Sequence, residues 1–581
     1  MNFKSVSKKD WKLKLIDNNK VLYIKEKFFF SEILSKLLVA KNIDPNYIKL
    51  FLNPNFNDYL LNQSKLLDVN KSVNYIFETI LQNKPIGIFG DYDVDGASST
   101  AILIKFFNHI KHPCKFLIPD RIIDGYGPTI STFDKLIKQN VSTIITVDCG
   151  TQSYKPIEYA NSKNVKTIVI DHHQAEVKLP DAFAIINPTR IDDNSNFNML
   201  CATSLTYLFL YALNKKLNKE NWYNKKDIKE PLISDFLDLV ALATICDVVP
   251  LVGINRYFVK EGITLINKKK NIGLNSISEI CKLNTETEED HLGFFYGPRI
   301  NAGGRLGYSS YGVKLLSSDN KDEAVEICLK LDSLNEKRKK IENLNLNKIN
   351  KLAEKQKNLS VLVLYDADFH EGLIGILASR IKDKFNKPVV VLSGNSDELK
   401  GSARSITGFN IGQEIIKLVK NKTIIRGGGH KMAAGFTIKK KKIDDLIEKL
   451  NLSFHNKFKN EKPFNTSYID SIISTNAINY DFFNEFKSLA PFGNGNSSPT
   501  FLIEKVKIIK FKIIKDKHIS VIFLSKNGKS TRGMCFNSIG TLLEPYLVNK
   551  NNNLNLVGKI KLNKWNNQNQ IQFIINDILL N

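Results

Sequence analysis

Four short apolar runs between residues 80 and 190 each stop at or just before an aspartate: "IGIFGD", "KFLIPD", "TIITVD" and "KTIVID". The stretches between them have the length and apolar spacing of helices, so the pattern is βαβ in kind. Such alternation folds as a mostly parallel sheet with helices on both faces, and the ligands of these sheets gather beyond the carboxyl ends of the strands. Asp91, Asp120, Asp148 and Asp171 are therefore expected at one edge of one sheet.

The first of these turns, "GDYDVDGASST" (residues 90–100), spaces Asp91, Asp93 and Asp95 like the start of a calcium-binding EF-hand loop. The twelfth position from Asp91, where a bidentate glutamate closes the calcium shell, is Ile102, and a strand rather than a helix leads in. What remains is three carboxylates on a strand-to-helix turn, with Gly96 allowing the backbone to turn sharply. Capping of the following helix accounts for one of them. Three carboxylates held together repel one another unless cations compensate, so a divalent metal is expected. Further ligands at neighbouring strand ends are Asp148 in "TVDCG" and the tandem His172 and His173 of "IDHHQ". Asp247, in "ATICDVVPL", is a carboxylate in an apolar stretch, costly unless paired or bound to metal. A mostly oxygen shell with one or two imidazoles suits manganese or magnesium rather than structural zinc.

The chain of 581 residues is long enough for three or four domains and carries a formal net charge of +24. That charge points to a polyanionic partner such as nucleic acid, although a composition rich in Lys, Asn and Ile also produces it. Arginine says more. Only ten of the 83 basic residues are arginines, and Arg121, Arg299, Arg305, Arg404 and Arg426 lie in or beside glycine-rich turns. A guanidinium fork grips phosphate with two parallel hydrogen bonds where lysine offers a point charge. Seven scattered cysteines with no C-x-x-C pair, and an N-terminus without a signal-peptide core, fit a reducing cytoplasm. The most apolar stretch, "FLDLVALATICDVVPLVG", carries Asp238 and Asp247 and reads as a buried helix rather than a membrane span.

Residues 1–60 form an N-terminal segment with no assigned role, and 61–320 an α/β domain whose part from 190 is helical. Residues 321–358 read as one long charged helix of the kind that bridges domains. A second, smaller α/β domain covers 359–455, and 456–581 is mainly short β runs. There, "EKVKIIKFKIIKDKHISVIFL" interleaves Lys505, Lys507, Lys510 and Lys512 with apolar residues. This suits an oligonucleotide-binding barrel and equally an ordinary solvated sheet face. The Asn-rich stretch 549–556 reads as a loop.

In order and spacing, "GDYDVDG", "TVDCG", "DHH" and "ATICDVVPL" resemble the four metal motifs of the DHH phosphoesterase superfamily. "PDRIIDGYGPT", "GPRINAGGRLG", "HEGLIGILASRI", "GSARSITGFNI", "RGGGHKMAAGF" and "LAPFGNGNSSPTF" narrow the resemblance to its bacterial single-stranded-DNA-specific exonucleases, over roughly residues 60–535. The resemblance implies an α/β fold: a DHH-type parallel-sheet domain and a smaller DHH-associated domain joined by a long helix, then a C-terminal OB-fold β-barrel. It implies two ions, Mn or Mg, sharing Asp148 at the catalytic centre. Asp91 and Asp93 would complete one shell, and Asp95, His172 and Asp247 the other.

In the same resemblance His173 would face the phosphate as a charge stabiliser or proton donor, with Asp171 orienting the histidine pair or capping the following helix. Ser402, Arg404 and Arg121 would grip a terminal 5′ phosphate, and His430 the strand. Arg299 and Arg305 would hold the backbone nearer the metals, or pair with acidic residues between domains instead. The implied reaction is 5′-to-3′ hydrolysis of single-stranded DNA to 5′-mononucleotides in recombination and repair. The implied agent is a cytoplasmic monomer that works with a helicase and a single-strand-binding protein and not at a membrane. Two alternatives stand beside it: a DHH hydrolase of short oligonucleotides or cyclic dinucleotides, and a non-catalytic single-strand-binding replication factor.

Overall fold

The computed structural model describes residues 4–60, 65–121, 123–125, 127–459, 466–525, 528–549, 553–565 and 568–580. Its contacts divide the chain into two compact units. One comprises Tyr59–Val249 and Phe258–Pro463, the other Met1–Asp58, Pro250–Tyr257 and Phe464–Asn581.

The first unit is built on five parallel strands in the spatial order Cys114–Leu117, Ile86–Gly90, Thr143–Val147, Lys166–Ile170 and Ala184–Ile186. All four aspartate-ending runs are thus strands. Ile86–Gly90 and Thr143–Val147 are buried along their whole length, as near-continuous apolar runs covered on both faces must be. The strand order reverses direction between these two, so Asp91 and Asp148 leave the sheet on either side of the crevice where such sheets bind ligands. The stretch read as a buried helix forms Leu237–Cys246, apolar on all faces except for buried Asp238 and Thr244, with Asp247 as its C-cap.

The helix Lys321–Lys355 runs 35 residues and is capped by Asn320, whose side chain accepts from the N–H groups of Asp322 and Glu323. It leads to a second sheet, ordered Arg426–His430, Ala433–Lys439, Glu398–Arg404, Val389–Ser393 and Leu362–Tyr365. Buried Glu342 of the long helix accepts from Arg338 at 3.0 Å and from Arg380 at 2.9 Å, tying the helix to Ile374–Phe385. Among the described residues no helix is long and apolar enough to cross a membrane.

In the second unit Phe501–Ile514, His518–Leu524, Thr531–Cys535, Gln568–Leu580 and Asn553–Trp565 close on one another as a five-stranded barrel. Three of these strands run 13 or 14 residues, longer than the short runs the sequence suggested. Of the Asn-rich stretch, 550–552 lie outside the described residues, and Asn553 opens a strand rather than continuing a loop. Val506 and Ile508 point into the barrel, which leaves Lys505, Lys507, Lys510 and Lys512 exposed.

The N-terminal segment acquires a role here. Its helices Asn18–Phe28, Glu32–Ala40 and Ile48–Leu52 send Ile24, Leu37, Leu38, Ile48 and Phe51 into the same core as Phe501, Val506, Phe523 and Phe573. Asp577, in the last strand, accepts from Ser5 Oγ and Trp11 Nε1. Arg256 is fully buried, lies 3.7 Å over the Phe51 ring, and donates to the carbonyls of Phe51, Leu489 and Ala490.

Removing that guanidinium leaves three buried carbonyls to find new donors. Arg256→Ala should therefore cost the second unit about 3 kcal/mol or more. Hydrogen exchange followed by mass spectrometry should show the 32–40 helix and the barrel strands losing protection together. Loss confined to the N-terminal helices would contradict a shared core.

Candidate metal centre

Asp91 follows its strand directly, and Asp93 caps the helix Val94–His109 by accepting from the N–H groups of Asp95 and Gly96. Gly96 lies in the first helical turn rather than at a sharp bend. A Cβ there would sit 2.4 Å from Asp91 O, so the glycine is required by close approach, not by freedom to turn. Asp95 is buried and reaches across to a second helix, Ala202–Lys219. Its carboxylate accepts from Ala202 N at 2.7 Å, Thr203 N at 2.8 Å and Thr203 Oγ1 at 2.6 Å. Asp148 adopts a left-handed backbone (φ 60°), and Val248, right after Asp247, does the same (φ 58°). For a β-branched residue that conformation is strained, as is common at functional sites.

The ligating atoms converge in three overlapping groups. Asp91, Asp93 and Asp148 form one, Asp95, His172 and Asp247 a second, and Asp148, His172 and His173 a third, each with its atoms within 4.8 Å of one another. His172 Nε2 lies 3.2 Å from Asp148, 3.7 Å from Asp95 and 3.7 Å from Asp247. The electrostatics are those of a site built for cations. Burial, reinforced by Asp93, pushes Asp91 up to about 8. Burial and the surrounding aspartates hold Asp148 and Asp247 well above the usual carboxylate range. Asp91 Oδ1 is buried without a hydrogen-bond partner. An orphaned carboxylate oxygen facing oxygen and imidazole donors fits a divalent cation, and this donor set fits Mn or Mg.

The two histidines are driven apart. Burial lowers the pKa of His172, favouring the neutral imidazole that a metal needs. Burial opposes charge on His173 too, but Asp171 outweighs it through its charge and a 2.8 Å bond to Nδ1, raising His173 to about 9. Asp171 also accepts from the backbone N–H groups of His172, His173 and Thr151, so it orients the pair. Asp120 lies three residues past its strand and serves its own loop, accepting from Ile123 N.

Beside the centre lies a crowd of guanidinium groups. Arg121 stacks over the ring of Tyr92, the residue between Asp91 and Asp93, at 5.1 Å. Arg305 donates to Gly372 O, and burial with the like charges of Arg121, Arg338 and Arg404 lowers its pKa. Burial and Arg121 do the same to Arg404. Ser402 Oγ and Arg404 Nη2 both approach Gly375 in the first turn of the helix Ile374–Phe385. Cations clustered at a helix N-terminus call for an anion. His430 stacks on His173 with ring centroids 5.6 Å apart.

Arg299 is turned elsewhere: Nε and Nη2 both lie 2.8 Å from Asp332 on the long helix, which favours the ion-pair alternative over backbone contact. Sequence reasoning missed Asn301, whose Oδ1 accepts from Val94 N and pins the aspartate turn. It also missed Asn187 and Thr189, which hold His173 O. Asn301 lies inside "GPRINAGGRLG", a segment read for its resemblance and for Arg299 and Arg305, with no role given to the asparagine.

Residues 85–244 match the family model described as the DHH family N-terminal domain, 358–456 the DHHA1 domain and 469–577 the RecJ OB domain. Among curated proteins, the single-stranded-DNA-specific exonuclease RecJ of Haemophilus influenzae is 31% identical over 538 residues, spanning 89% of this chain and 92% of the relative. The RecJ of Bacillus subtilis is 29% identical over 579 residues, 98% of this chain and 71% of the relative. Among solved structures, RecJ from Thermus thermophilus in complex with Mn2+ matches with a TM-score of 0.81 at 23% identity, over 98% of this chain and 79% of that one, a likeness of fold. Exonuclease RecJ bound to manganese is 28% identical with a TM-score of 0.57, over 69% of this chain and 96% of that one.

Asp148→Asn removes the charge shared between ligand groups. In chelator the variant should unfold at a higher temperature than the unaltered chain, by the equivalent of about 1 kcal/mol or more. Added Mn2+ should stabilise the unaltered chain and leave the variant nearly unmoved. Equal gains for both in a thermal melt would show that these carboxylates do not form a cation site.

Proposed function

The chain belongs to the RecJ family of single-stranded-DNA-specific exonucleases, and on that premise we infer that it is a metal-dependent exonuclease whose substrate is single-stranded DNA. The observation that carries this reading is the set of ligand groups sharing Asp148 and His172 at the switch point of the sheet. Release of 5′-mononucleotides in the 5′-to-3′ direction by a two-metal mechanism, in recombination and repair, is the finer part of the proposal. In it, Asp91, Asp93 and Asp148 would hold one ion, and Asp95, Asp148, His172 and Asp247 the other. When bound, such a pair supplies activation of the attacking water and neutralisation of charge on the scissile phosphate.

The chain's own residues do the rest. Asp171 keeps His173 charged, so its imidazolium can stabilise the phosphate or give a proton to the leaving oxygen. Arg121, Ser402 and Arg404 grip the terminal phosphate, which supports attack at an end rather than within a strand, and Arg305 adds positive charge beside them. His430, against His173, contacts the strand. The exposed lysines of the barrel give the backbone a basic path.

A cytoplasmic monomer cooperating with a helicase and a single-strand-binding protein belongs to the same proposal. Its support is the family and, for the compartment, seven cysteines that are all free thiols. Family membership and filled ligand positions leave neither the short-oligonucleotide hydrolase nor the non-catalytic factor with an observation in its favour.

Incubated with Mn or Mg, the protein should degrade 5′-labelled single strands, leave matched duplex largely intact and show no preference for a dinucleotide. Duplex cut as fast as single strands would sink the reading. Asp148→Ala should lower cleavage on the order of 10³-fold, about 4 kcal/mol, while strand binding in a filter or anisotropy assay is largely kept. Arg404→Ala should weaken action on 5′-phosphorylated ends by about 1.5–3 kcal/mol and spare 5′-hydroxyl ends. Equal effects on the two ends would remove its assigned role.

A further inference from the structure

Leu292–Tyr296 is a single π-helical turn leading into the helix Gly297–Arg305. This turn and the helix that continues it each touch an element that carries metal-centre residues. On one side Cys246 Sγ donates to Leu292 O at 3.4 Å and Ile245 lies against Gly293, so the turn packs on the end of the helix capped by Asp247. On the other, the helix that follows is fastened to the aspartate turn. Val94 N–H donates to Asn301 Oδ1, and Gly304 approaches Tyr92 so closely that a Cβ would lie 2.6 Å from Tyr92 O.

Leu292 and Tyr296 are fully buried and anchor the turn, while Phe294 is 74% exposed and Phe295 37%. A lone exposed apolar residue is ordinary. This one differs in its setting: π-helical turns recur at functional sites, and the turn is held between two ligand-bearing segments. Arg299 braces it by donating to Phe295 O at 2.9 Å while its other nitrogens hold Asp332. Val248, directly after Asp247, adds a third exposed apolar side chain at 61%.

We propose that Phe294 is a stacking platform for a nucleobase of the strand whose phosphate enters the metal centre, a role that rests on the exonuclease reading above. An aromatic side chain exposed on a turn that packs on the end of the helix capped by Asp247 suits an unpaired base. Stacking is indifferent to base identity, and a base inside a duplex already has both faces covered. Phe294 thereby favours single strands over duplex, and Arg299 is a positioning residue that acts through the turn.

The test compares the unaltered chain with Phe294→Ala and Phe294→Tyr, using 5′-phosphorylated single strands that carry one abasic site, moved stepwise from the 5′ end. On the intact strand Phe294→Ala should lower kcat/KM about ten- to a hundredfold, with Phe294→Tyr close to the unaltered chain. The deficit should vanish on the substrate whose abasic site deletes the stacked base, because variant and substrate then remove the same contact. A deficit of equal size on every abasic substrate would mean a merely structural effect and would overturn the proposal, as would Phe294→Ala cutting the intact strand at the unaltered rate. If the unaltered chain leaves the intact strand uncut, the exonuclease reading fails and takes this inference with it.

Discussion

Burial of carboxylates that also repel one another governs this structure. Asp91, Asp93 and Asp148 bring ligating oxygens within 4.8 Å of one another. At an effective dielectric of about 20, each ionised pair at that distance costs about 3 kcal/mol or more. Ionising all three together would approach the roughly 5–15 kcal/mol that holds a whole domain folded, which is why Asp91 and Asp148 hold their protons more tightly than ordinary carboxylates. Charge on His173 and Arg121 offsets part of this repulsion at Asp91, yet Asp91, Asp148 and Asp247 still sit above the usual carboxylate range. A divalent cation relieves the repulsion and at the same time brings the chemistry, so the cost of assembling the site and its activity have one origin.

The scaffolding around the centre follows from that constraint. Asp93 and Asp95 each cap or anchor a helix while presenting an oxygen to the site, so neither can swing away when the cation leaves. Asp171 commits its carboxylate to four donors and holds His173 charged, while burial favours the neutral form of His172. Environments that push paired groups apart are how one fold assigns ligand and acid roles to adjacent residues. The arginine cluster carries the complementary problem, too many cations in one place, which the phosphate of the proposed substrate would resolve.

Much of this was legible in the sequence because it is local. Apolar runs ending at an aspartate specify parallel strands and the edge where their carboxylates meet, and the tandem histidines announce themselves. What stayed hidden depends on partners distant in the chain. Nothing near Arg256 reveals that it will staple residue 51 to residues 489 and 490. The N-terminal segment could be placed only once its helices were seen in the core of a barrel more than 450 residues away. Arg299 was singled out for its rarity, but its acidic partner Asp332 lies on the 321–355 helix, where charge is too common to stand out. Gly96 was recognised for the wrong reason, since a glycine needed for close approach and one needed for a turn read alike until the neighbouring backbone is in view.

The central claim is that two cations share Asp148. Anomalous diffraction at the manganese edge, from crystals of the unaltered protein grown with Mn2+, tests it most directly. The account predicts two peaks bridged by Asp148, one against Asp91 and Asp93 and the other against Asp95, His172 and Asp247. A single peak, or peaks that leave Asp148 uncoordinated, would contradict it.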